Sequence, residues 1–279
     1  MSLLLGLAAA LAWGTSDFLG GRFTTKHPVF TVGFIAQATS FLLLLAVTAI
    51  ARPSLETGWL LWGLGAGLFT SFGGLALYQG LATGDSAVVA PLSACGAIVP
   101  VLFAFVTGDA PSLPQTGGIG LTLAGVVLCS LPAQGVQFSS SNHLRPMLFG
   151  LAAAVGFGLF FIFVDLGATT DEGSLVVLTA ARFAGAAFVG FAGAATAGLR
   201  WPGRELPKLA AGGVIDVSAN GFFALATNRG NVAVAAVLSS LYPLQTLVLS
   251  RLFTSERFTG LRVLGVALAL AGVAAISAG

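Results

Sequence analysis

The stretch Leu4 to Gly14, LLGLAAALAWG, returns as LFGLAAAVGFG from Leu148 to Gly158, 144 positions later. Both copies are uncharged and rich in alanine and glycine, the composition of helices that bring their backbones close together inside a bilayer. The ends of the two halves repeat as well. Leu123-Ala124-Gly125-Val126 matches Leu270-Ala271-Gly272-Val273 at an offset of 147, with Asp109 and Glu256 in register in the preceding loops. Two matches in the same order at nearly the same spacing point to a duplicated chain.

Composition says where such a chain lives. Of 279 residues, 56% are hydrophobic and 8% charged, and the mean hydropathy is +0.96, whereas a soluble domain carries about 25% charged residues. The polar groups are too few to cover a water-facing surface. A net charge of +2, with the basic residues between apolar runs rather than on one face, excludes a nucleic-acid footprint. Cys95 and Cys129 fall inside apolar segments and read as small packing residues, not as a disulfide framework. No Lys or Arg precedes the first apolar run, so that run is expected to be retained rather than cleaved as a leader.

A spanning helix needs about 20 predominantly apolar residues, and the chain divides into ten such runs. The first half gives Leu3 to Gly20, Val29 to Ile50, Trp59 to Gly80, Ala87 to Thr107 and Thr116 to Leu131. The second gives Pro146 to Gly167, Ser174 to Leu199, Leu209 to Thr227, Val232 to Phe253 and Leu261 to Ala278. A serine-rich linker from Pro132 to Arg145 separates the halves, here divided as residues 1–137 and 138–279. The expected fold is an all-α integral membrane protein of ten transmembrane helices. An odd number of spans per half makes it two inverted five-helix repeats, the arrangement of secondary transporters, which bind substrate near the midplane between repeats.

Trp13-Gly14-Thr15-Ser16, Ala180-Ala181-Arg182-Phe183 in span 7, and Leu241-Tyr242-Pro243 with Glu256 thirteen residues after the proline carry a family likeness. With Gly265 and Leu270-Ala271-Gly272-Val273, they make the chain resemble the drug/metabolite transporter superfamily in its two-repeat EamA form, over essentially its whole length. The resemblance implies export or exchange of small metabolites, amino acids or drugs by alternating access. It also implies a central pocket lined by spans 1, 3, 4, 6, 8 and 9. Gln37 stands where the family's span-2 arginine is usual, and Asp109 where its loop glutamate is.

Ionisable side chains deep in a bilayer are costly and default to functional hypotheses. Asp216 shares a helix face with Asn220, one turn on, and Asp17 shares one with Trp13. Tyr78 and Tyr242 extend softer polar stripes on spans 3 and 9. Trp13, Asp17, Tyr78, Asp216, Asn220 and Tyr242 are therefore the candidate substrate-binding residues, with the carboxylates also placed to exchange a proton. Arg182 is expected to pair with Asp165 across the hairpin of spans 6 and 7. Phe157, Phe160, Phe161 and Phe163 read as packing and lipid contact, and Pro91, Pro100 and Pro243 as bends in spans 4 and 9.

These features favour a gradient-driven carrier of a small-molecule substrate, a monomer or homodimer with no cofactor, in the cell membrane (the inner membrane of a Gram-negative cell). Its coupling partner would be a proton or a counter-substrate. No nucleotide loop GxxxxGK[ST], HExxH or GxSxG motif occurs, so an intramembrane enzyme ranks second, with a channel-like facilitator behind it. Most basic loop residues, among them Arg22, Lys26, Arg145 and Lys208, follow odd-numbered spans. By the positive-inside rule the termini would then face outward, whereas the resemblance implies termini in the cytoplasm.

Overall fold

The structure is a computed structural model that describes residues 1–81, 89, 92–130, 144–196, 198–254 and 260–278. All of its regular elements among those residues are helical. The first half contains α1 (Ser2–Thr24), α2 (Val29–Ala51), α3 (Thr57–Leu81), α4 (Ile98–Thr107), led in by a 3₁₀ turn at Cys95–Ala97, and α5 (Leu113–Ser130). The second contains α6 (Leu144–Gly167), α7 (Asp171–Ala195), α8 (Leu206–Thr227), α9 (Val232–Ser239), α10 (Tyr242–Thr254) and α11 (Gly260–Ala278). Helices α9 and α10 are two pieces of one span, so ten spans result and the expected count holds. The boundary expected between residues 137 and 138 lies outside the described residues.

Local chemistry sets where several helices begin. The Thr170 hydroxyl accepts a hydrogen bond from the Gly173 N–H, and Asp171 and Glu172 occupy the positive end of the α7 dipole. Asn231 caps α9 by accepting from the Ala233 and Val234 N–H groups. The ninth span differs from the uninterrupted run that hydropathy suggested. It breaks after Ser239 and resumes at Tyr242, immediately before Pro243, whose ring cannot continue a helical hydrogen-bond ladder.

Helix directions follow from which residues meet. Thr24 and Val29 are too close in sequence for their connection to recross the bilayer, so α2 runs opposite to α1. Phe34 lies beside Gly190, Phe41 against Phe183 and Thr48 bonded to Thr179, which makes α2 and α7 antiparallel. Gly63 and Gly67 of α3 meet Val177 and Ala181, so α3 and α7 are parallel. Gly65, Gly73 and Gly80 of α3 meet Phe163, Phe157 and Phe149, so α6 runs against α3. Helix α6 therefore points opposite to α1, and the repeats are inverted.

The packing partners carry the same relation. Helix α1 packs on α8 as α6 packs on α3, α1 on α9 and α10 as α6 on α4 and its turn, and α2 on α8 as α7 on α3. The pairs α2 with α7, α4 with α9, and α5 with α11 map onto themselves. Nearly all substantial packing is thus between repeats. Among the described residues neither half keeps a core of its own, and the two form one interleaved bundle.

Close approach in this bundle depends on missing side chains. A Cβ on Gly118 would lie 2.7 Å from the Gly272 carbonyl and 2.8 Å from the Ile276 N, whereas one on Gly117 would meet nothing within 4 Å. Both glycines sit on α5, so they form an internally controlled pair. Gly118→Ala is expected to cost about 1–3 kcal/mol by overpacking and to lower the thermal midpoint of the detergent-solubilised protein, while Gly117→Ala leaves it unchanged. Equal midpoints for the two variants would mean that α5 and α11 do not meet as described.

Candidate functional site

A cavity of about 470 Å³ lies between the repeats, within the range of about 300–1,000 Å³ usual for ligand pockets. Its described lining comes from α1, α2, α3, the segment leading into α4, α6, α7, α8 and the break between α9 and α10. Among the described residues, helices α5 and α11 contribute nothing to it. The lining expected from spans 1, 3, 4, 6, 8 and 9 is thus corrected by the addition of α2, through Phe30 and Gln37, and of α7, through Arg182 and Val189. Both additions follow from the antiparallel packing of α2 on α7 at the centre of the bundle.

The cavity reaches Thr24, Val29 and Phe30 on the face of the α1–α2 connection. It is closed toward the face where the chain starts. There Trp13 packs edge-on or tilted against Phe160, Phe161 and Phe223 at ring-centroid distances of 6.2, 5.9 and 6.0 Å, and Phe161 meets Phe223 at 4.8 Å. Beyond these rings Ala9, Ala10, Val234 and Leu238 are buried. The phenylalanines of α6 therefore do more than the packing and lipid contact expected of them: Phe157, Phe160 and Phe161 line the cavity, while Phe163 packs on Trp62 and Phe69. A signal for this was available, since the repeat offset of 144 places Phe157 on Trp13 and Phe161 on Asp17.

The charged centre differs from the expected pairing. Arg182 Nη2 lies 2.6 Å from Asp216 Oδ2, and its Nη1 donates to Gln37 Oε1 at 2.6 Å. No contact of Arg182 with Asp165 within ion-pair distance occurs among the described residues. The expected pair does not form because α6 and α7 scarcely touch, while α7 packs on α2 and α3. Gln37, in the place of an arginine usual in the resembled family, is thus the neutral acceptor that a second guanidinium could not have been.

Of the other candidates, Trp13, Asp17, Asp216, Asn220 and Tyr242 all line the cavity. The side chain of Tyr78 lies outside the described residues. Asn220 is buried and spends its Nδ2 on the Asp216 carbonyl of its own helix, at 2.6 Å. Asp17 is exposed to the cavity and has no ion-pair or hydrogen-bond partner among the described residues, although it lies within electrostatic range of Asp216 and Tyr242. At the mouth, His27 Nε2 stands 2.6 Å from Glu205 Oε2, with Lys26 Nζ 3.7 Å from the other carboxylate oxygen. On the closed face, Asn231 donates to the Asp109 carbonyl, and Arg229 reaches Asp171 at 3.4 Å.

Comparison with known proteins agrees with this architecture. Residues 1–131 and 144–278 each match the EamA-like transporter family. The chain belongs to the EamA-like transporter family and is a multi-pass membrane protein built from two of its repeats. It is also similar to the uncharacterized protein MJ1333.1 of Methanocaldococcus jannaschii, 28% identical over 134 residues, which are 47% of this chain and 96% of that protein. That relative is therefore about one repeat long. A crystal structure of a protein 22% identical to this one superposes with a TM-score of 0.81, covering 98% of this chain and 95% of its own, which establishes a shared fold.

The pair geometry fixes what removal of one partner does. Asp216→Asn leaves the Arg182 guanidinium buried without its counter-charge, a loss of about 3–5 kcal/mol for buried pairs. The variant should show a lowered thermal midpoint and poor yield, and Arg182→Gln in the same chain should restore much of it. Unchanged stability in Asp216→Asn would place the guanidinium's counter-charge elsewhere.

Proposed function

We propose that this protein is a secondary active transporter in the cell membrane that moves small metabolites, amino acids or drugs by alternating access. The observation that carries the reading is one polar-centred cavity between inverted repeats, reaching toward one face and closed from the other by a cluster of four aromatic rings. Inverted repeats have near-equivalent packing toward both faces. Exchange of their conformations therefore opens the closed end and closes the open one, around a site that stays at the centre.

Within that site Trp13 and Tyr242 act as walls, and the Arg182–Asp216 pair with Asn220 forms the polar floor. Asp17 is the carboxylate free to meet substrate or a proton. Energy comes from a gradient of protons or of counter-substrate, in keeping with a sequence that lacks a nucleotide loop.

Counterflow tests the reading. Proteoliposomes of purified protein preloaded with amino acids, nucleosides or cationic drugs should take up the labelled form of a transported solute faster than empty ones, with saturation. Flux that rises linearly with concentration and ignores the contents of the vesicle would instead mark a channel-like facilitator.

A further inference from the structure

We infer that the cavity selects organic monocations, with the cargo's positive charge against Asp17 and its apolar body against Trp13, Phe160 and Phe161. This rests on the transport reading for its biological meaning, and on the charges around the cavity for its chemistry. Among the described lining residues the charged side chains are Asp17, Arg182 and Asp216. Arg182 and Asp216 cancel each other at 2.6 Å. One uncompensated carboxylate remains. No basic side chain elsewhere in the described chain contacts it; the cations nearest in sequence are turned to other partners, Arg22 over the Phe18 ring at 5.9 Å and Lys26 to Glu205 at 3.7 Å.

The space beside that carboxylate suits an organic cation. Gly20 and Gly21, one turn beyond Asp17, line the cavity with open space where side chains would stand. One turn before it is Trp13, the first of the aromatic rings, whose faces attract cations and whose bodies take apolar surface. An anionic cargo would have to displace either Asp216 or Gln37 from 2.6 Å contacts with Arg182 while facing Asp17. A neutral cargo would leave Asp17 without a counter-charge when closure removes water from the cavity. With Asp17 ionised, only a cationic cargo completes the charge balance.

Three soluble phenyl compounds of similar size and different charge test this by calorimetry on the purified full chain in detergent: phenyltrimethylammonium, neutral N,N-dimethylbenzamide and benzenesulfonate. The expected result is at least tenfold tighter binding of the ammonium than of either of the others. Asp17→Asn should erase that preference and Asp17→Glu should keep it. Equal binding of the three, no binding of the ammonium at millimolar concentration, or a preference that survives Asp17→Asn overturns the inference. Should Asp17→Asn fail to fold, the three-way comparison on the unaltered protein decides alone. Asp17-dependent ammonium binding without ammonium counterflow in proteoliposomes would sink the transport reading and leave the cation site standing. Saturable counterflow of a neutral or anionic solute, with no ammonium preference, would do the reverse.

Discussion

A guanidinium held in the middle of a lipid-spanning bundle must find its counter-charge inside the protein, since leaving it unpaired costs several kcal/mol. Arg182 meets that demand through Asp216 on α8 and Gln37 on α2, so one side chain ties three helices from both repeats. Its position sets the rotation of α7, and the α2–α7 register follows along the whole contact: Phe34 at Gly190, Phe41 at Phe183 and Thr48 at Thr179. With α7 fixed, α3 has its parallel partner, and α6 packs against α3 in turn. Because Asp216 is consumed in this arrangement, Asp17 becomes the carboxylate that faces the cavity alone.

What was legible in the sequence is what the bilayer dictates locally. Span length, apolar composition and an odd number of spans per half are set by hydrocarbon thickness and by the need to satisfy every backbone group within the segment. These rules apply residue by residue, and so the ten spans, the two repeats and the family likeness could be read without tertiary information. The cavity position of Trp13, Asp17, Asp216, Asn220 and Tyr242 was anticipated for a related reason, since polar groups on spanning helices face inward. Pairings between helices were not legible in the same way. The Arg182–Asp165 expectation assumed that helices adjacent in sequence pack together, yet here the strongest packing joins opposite repeats. Residues 37 and 182 meet because the topology interleaves, which no window of sequence contains.

The repeats are equivalent in packing topology and unequal in chemistry. At the offset of 144, Asp17 corresponds to Phe161 and Trp13 to Phe157, while Gln37 and Arg182, 145 apart, contact each other across the α2–α7 pair. A strictly symmetric chain would place two arginines at that crossing and two carboxylates or two phenylalanines on the facing walls. In this chain one of the two positions is Gln37, and the rings of α6 stand opposite the carboxylate of α1. The scaffold is symmetric in topology, while the lining of its cavity is asymmetric in charge.

The irregular backbone is placed by the same logic. In hydrocarbon an interrupted helix exposes polar groups that nothing can satisfy, so interruptions are tolerated where they are buried in protein or line an aqueous cavity. The two irregular stretches described here fall at equivalent places. Tyr242, where α10 resumes after the break, lies 147 positions beyond Cys95, where the 3₁₀ turn before α4 begins. Both border the cavity, through Ser93, Ala94, Gly96 and Ala97 on one side and Ser240 and Tyr242 on the other. Neither a random defect nor a loop imposed by connection length would recur at the same repeat position on opposite walls of one cavity. The recurrence argues that spans 4 and 9 depart from regular α-helix because they face the site, and that the cavity is a built feature of the fold rather than a gap in its packing.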